Sequence, residues 1–75
     1  MEQILEILSG LNSAVDFSTA EHIISDRLID SIDIMELVSK LEETFDIEIG
    51  MEYMENKNFE SAGAIWEMIE EIREG

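Results

Sequence analysis

Seventy-five residues make one small domain, with no room for a second core. There is no cysteine and one histidine, His22, which excludes disulfides, thiolate metal sites and His-rich zinc sites, and any histidine-dependent catalytic triad that His22 does not supply. Four basic residues (Arg27, Lys40, Lys57, Arg73) face nineteen acidic ones, a formal net charge of -15, so nucleic acid and anionic membrane surfaces are repelled and basic proteins attracted.

With 45% hydrophobic residues the acidity belongs to a folded module rather than a disordered one. Repulsion among its carboxylates predicts a fold that gains stability with salt or magnesium. No apolar run approaches the ~20 residues of a membrane span, and no signal-peptide pattern opens the chain. The expected compartment is the cytoplasm.

The first predicted helix runs from Glu2 to about Ser9, where Ile4, Leu5, Ile7, Leu8 and Leu11 recur at helical spacing. Gly10 suits its C-cap. Residues 11–29 form a long connection whose apolar side chains (Val15, Phe17, Ile23, Ile24, Leu28, Ile29) predict packing onto the bundle. A short helical turn around Thr19 to Ser25 is compatible with it. The second helix spans about Ser31 to Phe45, with Ile34, Leu37, Val38, Leu41 and Phe45 as its buried stripe. Asp30 is its N-cap, and Asp33 adds negative charge at the positive end of the helix dipole.

A short helical piece is predicted between Met54 and Asn58, with Phe59 plugging the core. The last helix starts near the N-cap candidate Ser61, runs to about Arg73, and turns Ala62, Ile65, Trp66, Ile69 and Ile72 inward. Gly63 within it implies close packing or an imperfect helix. The expected fold is all-α: a small four-helix bundle of three longer helices and one short, with a long connection between the first and second.

Two apolar residues, Ile32 and Met35, fall outside the buried stripe and lie among Asp30, Ser31, Asp33 and Glu36. They either pack under the 11–29 connection or form an exposed docking patch. Ser31 is either a capping hydroxyl or, because Asp30 supplies a better cap, a free one. A helix start also suits an attached phosphate. No base lies near Ser31 in sequence, so chemistry at its hydroxyl would need a catalyst on another protein. His22 reads as a loop residue and Trp66 as a core edge. Met51, Met54 and Met68 read as pliable core filling. Asp26, Asp30 and Asp33 lack the glycine and final glutamate of a calcium loop, and no metal site is expected.

The run Leu28-Ile29-Asp30-Ser31-Ile32-Asp33-Ile34-Met35-Glu36-Leu37-Val38 resembles the phosphopantetheine attachment motif of acyl carrier proteins. Leu41-Glu42-Glu43-Thr44-Phe45-Asp46-Ile47-Glu48-Ile49 resembles that family's Leu-Glu-x-x-Phe-x-x-x-Ile segment, and Asn58-Phe59-Glu60-Ser61 its third-to-fourth helix junction. Leu28 stands where many members have glycine, and Ile32 replaces the usual leucine.

The resemblance covers nearly the whole chain and implies a single carrier domain over residues 1–75, with no catalytic residues of its own. A phosphopantetheinyl transferase would attach 4'-phosphopantetheine from coenzyme A to Ser31, and the arm's thiol would carry acyl groups as thioesters. Delivery would be to enzymes of fatty-acid, polyketide or related biosynthesis that load and process the acyl group and present basic docking patches. Partner recognition would fall to Asp30, Ile32, Asp33, Met35, Glu36, Glu42 and Glu43. The chain opens with Met1 and shows no linker, which favours a free-standing carrier over a domain cut from a synthase; a monomer is expected. An aminoacyl or D-alanyl carrier, and an unmodified acidic helical adaptor for a basic partner, are the alternatives.

Overall fold

The computed structural model describes residues 2–74; Met1 and Gly75, the ends of the expected domain, lie outside the described residues. Its elements are α1 (Glu2–Leu11), α2 (Ser31–Phe45) and α3 (Ala62–Glu74), with 3-10 turns at Met51–Tyr53 and Asn56–Asn58. Among the described residues there are three α-helices and no strand. Where a short helix was expected between Met54 and Asn58 there is a 3-10 turn at Asn56–Asn58, preceded by a separate one at Met51–Tyr53, and no fourth α-helix among the described residues. The stretch between Gly50 and Phe59 offers no continuous apolar stripe to bury, and the Asn58 side chain donates to the Tyr53 carbonyl at 2.9 Å, an alternative to a helical ladder.

Helix α1 forms because Ile4 and Leu8, one turn apart, are both fully buried. It runs through Gly10, which was expected to cap it, and a further bond from the Asn12 amide to the Leu8 carbonyl (3.0 Å) extends it. Leu37 and Leu41 of α2 are fully buried, while Ile34, Val38 and Phe45 pack half-buried around the same core. Helix α2 ends where Asp46 turns left-handed (φ 53°) and the amides of Asp46 and Ile47 both return to the Glu42 carbonyl.

Ser61 caps α3, its hydroxyl accepting from the Ala64 amide at 3.0 Å. Ala62, Ile65, Met68 and Ile69 are buried, with Trp66 and Ile72 at the edge. Trp66 meets Phe45 edge to face, with 6.0 Å between ring centroids. Gly63 is exposed, and a Cβ there would meet the Ser61 hydroxyl oxygen at 3.8 Å, an ordinary contact, so close packing is not the reason for a glycine there.

The connection between α1 and α2 contains no α-helix, yet Phe17, Ile23 and Ile29 are buried within the same core as the helices. It makes turns at residues 13–14, 17–19 and 23–27, the last overlapping the helical turn expected around Thr19 to Ser25. The bonds Arg27 amide to Ile24 carbonyl and Leu28 amide to Ile23 carbonyl close that turn around Arg27, which is left-handed at φ 55°. The radius of gyration is 11.2 Å, against about 11 Å expected at this length.

Candidate functional site

The site candidate is the head of α2. Asp30 accepts from the Asp33 amide at 2.9 Å, and the Asp33 carboxylate accepts in return from the Asp30 amide at 3.3 Å. This reciprocal capping box pairs the Asp33 and Asp30 amides, and the Asp30 carbonyl takes the Ile34 amide as the first helical bond. The cap is therefore made without the Ser31 side chain. Its side chain is exposed at the first helical residue, beside the positive end of the α2 dipole.

Ile32 and Met35 are 73% and 72% exposed. The alternative in which they pack under the 11–29 connection is excluded, because that connection packs elsewhere through Phe17, Ile23 and Ile29. At roughly 100° per residue, Ile32, Met35, Glu36 and Glu43 lie on the side of α2 away from Leu37 and Leu41. All four are exposed, as are Asp30 and Ser31, whereas Asp33 is half-buried. The result is an apolar pair ringed by carboxylates on one outward face.

Glu42 sits apart. Helical rotation alone would put it two turns along from Met35 on nearly the same line, yet it is half-buried and accepts from the Ile49 amide at 2.9 Å. It braces the return from α2 into the next segment, so the structure gives it an internal contact that spacing alone did not signal.

Two exposed side chains were missed in the sequence. Met51 is 90% exposed and Met54 43%, while Met68, read the same way, is 2% exposed. The available signal was local: Glu48, Glu52 and Glu55 surround the first two, while Met68 lies between Ile65 and Ile69 on an apolar stripe. Acidic charge dominates this turn; Lys57 pairs with Glu55 at 3.3 Å.

Glu60 precedes α3 and reaches back into the crossover. It accepts from the Ile24 and Ser25 amides at 2.9 and 3.0 Å and from the Ser25 hydroxyl. The Ser25 hydroxyl and then its amide hold the Glu60 carboxyl below its ordinary value; burial opposes them, and the Ile24 amide and His22 add smaller lowering effects.

Among the described residues no three acidic or histidine side chains converge as a metal site, and no helix is long and apolar enough to cross a membrane. The surface grooves are shallow. One lies between the crossover and the start of α3, lined by Phe17, Thr19, Ser61 and Gly63 among others; another lies beside Trp66 and Arg73.

A model of the phosphopantetheine attachment site matches residues 2–64. The chain is 33% identical over 63 residues to a probable acyl carrier protein of Caulobacter vibrioides, covering 84% of this chain and 71% of that relative. No solved structure matches it.

Proposed function

The chain belongs to the family defined by the phosphopantetheine attachment site, whose cofactor is covalent 4'-phosphopantetheine, and from that premise we propose that it is a non-catalytic acyl carrier modified at Ser31. One observation carries the choice of residue: the Asp30–Asp33 capping box leaves the Ser31 hydroxyl exposed and free of a capping role at the start of α2.

The residues present fit the group. A phosphodiester on the Ser31 oxygen would sit at the helix end that favours an anion. The bound arm supplies a terminal thiol on which acyl groups ride as thioesters, a thiol this cysteine-free chain lacks. Everything else falls to the chain's own side chains. Asp30 and Asp33 fix the first turn and so the backbone position of Ser31. No histidine or lysine is near Ser31 in sequence, so the proton lost from its hydroxyl goes to a base on the transferase.

Ile32 and Met35 offer apolar contact at the centre of the docking face, and Glu36 and Glu43 surround it with negative charge for basic partners. Glu42, half-buried and bound to Ile49, acts by holding the end of α2 more than by facing a partner. The partners are a phosphopantetheinyl transferase and the enzymes that load and process acyl groups in fatty-acid, polyketide or related biosynthesis. The carrier works as a single domain and a monomer in the cytoplasm.

The test is intact mass after incubation with coenzyme A and a promiscuous phosphopantetheinyl transferase, with Ser31→Ala in parallel. One added phosphopantetheine on the wild type and none on a folded Ser31→Ala is the expected result. No gain on folded wild type points to the unmodified adaptor, whose function would survive Ser31→Ala.

A further inference from the structure

The segment leading into Ser31 is held at both ends by distant parts of the chain. At its start, the amides of Ile23, Ile24 and Ser25 open the turn over residues 23–27 and have no partner within that turn. All three end on Glu60: the Ile23 amide on its carbonyl at 2.9 Å, the other two on its carboxylate. Glu60 thus caps this turn across 35 residues of chain. The Ser25 hydroxyl adds a fourth bond to Glu60, the third to its carboxylate.

At the far end, the Leu28 amide closes the turn on Ile23, and the Leu28 carbonyl accepts from the Asn12 side-chain amide at 2.8 Å. Asn12 follows α1 directly, and its own oxygen accepts from the Ala14 amide at 3.1 Å. Ile23 and Ile29 anchor the segment in the core at 0% and 4% exposure. Only Ile29 separates Leu28 from the N-cap Asp30, so any shift at Leu28 passes to the head of α2 with little slack.

We propose that Glu60 and Asn12 are positioning residues for Ser31: they clamp the crossover between the end of α1 and the start of α3, and so hold Asp30 and Ser31 in one presentation to the transferase. This rests on the reading of Ser31 as the attachment point. Neither residue touches the serine; both act through residues 23–29.

Glutamine at position 60 discriminates the clamp from a charge read by the partner. Its oxygen can accept both amides and its nitrogen can donate to the Ser25 hydroxyl, so Glu60→Gln keeps the clamp and removes the charge. Alanine removes both. Initial rates of phosphopantetheine transfer from coenzyme A are measured by intact mass on wild type, Glu60→Gln, Glu60→Ala and Asn12→Ala, with amide hydrogen exchange on the same samples.

Glu60→Gln is expected to be modified at close to the wild-type rate. Glu60→Ala is expected to lose about tenfold in kcat/KM, as misplacement of a reacting group does. Its exchange should quicken at Ile24, Ser25 and Leu28 while the Leu37 and Leu41 amides stay protected. Asn12→Ala should show the same pattern centred on Leu28, and it decides the matter alone if Glu60→Ala does not fold.

Wild-type rates in the alanine variants despite quickened exchange would overturn the proposal. So would equal slowing in Glu60→Gln and Glu60→Ala, which would make Glu60 a charge the partner reads. No modification of the wild type would instead defeat the Ser31 reading itself, and the clamp's role with it.

Discussion

At the head of α2, Asp30 and Asp33 exchange hydrogen bonds three residues apart. A few residues earlier, Ile24 and Ser25 give theirs to a carboxylate 36 and 35 residues away. The two regions meet at Ile29, and both use an aspartate or glutamate to satisfy first-turn amides. They differ in what must already be folded. The capping box needs only the first turn of its own helix, whereas the Glu60 clasp needs α3 docked against the crossover. Local capping therefore defines where the serine lies on its helix, and tertiary capping defines where that helix start lies on the domain.

The largest test of this contrast is in the core beneath each region. Leu37→Ala under α2 and Ile23→Ala under the crossover should each cost about 2–5 kcal/mol, because both side chains are fully buried. In a domain this small either loss should leave a large unfolded fraction in denaturant titrations. A crossover that folds independently of the bundle would show a near-neutral Ile23→Ala.

Next in size is the local cap. Asp30→Ala should cost about 1 kcal/mol and lower Tm by about 4–8 °C. The loss should be confined to α2 and leave the exchange protection of Ile24 and Ser25 unchanged, since their acceptor is Glu60. Parallel loss of protection at both places would mean that the two caps form one unit.

Acid separates the regions further. The Glu60 carboxyl is held below its ordinary 4.5 in the folded state, so in that range the unfolded chain binds the extra proton. The clasp's contribution is complete above the ordinary value and is lost as pH falls through the lowered one. Relief of carboxylate repulsion works in the opposite direction across the whole surface. The informative quantity is therefore the stability of wild type minus that of Glu60→Gln, expected to fall as pH drops below about the ordinary carboxylate range. A difference that stays flat with pH would remove the charge from the clasp.

The smallest effect is expected at the proposed docking face. Ile32→Ser and Met35→Ser should change stability by no more than about 0.5 kcal/mol, because both side chains are already in water. The same variants should slow modification of Ser31 by the transferase. A clear fall in Tm would show that these side chains do pack against something.

Much of this was legible in the sequence. The stripe from Ile34 to Phe45 predicted α2, and Asp30 and Ser61 were recognisable caps, because helix periodicity and first-turn capping act over a few residues. The exposed pair Ile32 and Met35 could be isolated only as residues left over from that stripe; their fate depended on where the crossover lay. Gly10 misled because glycine ends helices often, yet here the Asn12 amide still finds the Leu8 carbonyl and the helix continues. The short fourth helix is present only as 3-10 turns, one of them inside the expected Met54–Asn58 span, because nothing between Gly50 and Phe59 gives an α-helix a face to bury.

The sequence by itself determined an acidic, cysteine-free, all-helical chain, the span of α2, and a serine freed by an aspartate cap. Those properties follow from composition and from interactions within one turn. Only the tertiary structure decided that Glu42 and Glu60 spend their carboxylates on Ile49 and on the 24–25 turn, that Asn12 holds Leu28, and that Met51 is bare while Met68 is buried. For Glu60 and Asn12 the partner lies far off in sequence. For Glu42 and the methionines it is the rotation and docking of the helices that chooses. The physical reason is shared: a carboxylate, an amide or a thioether takes its role from whichever groups the folded chain brings within reach.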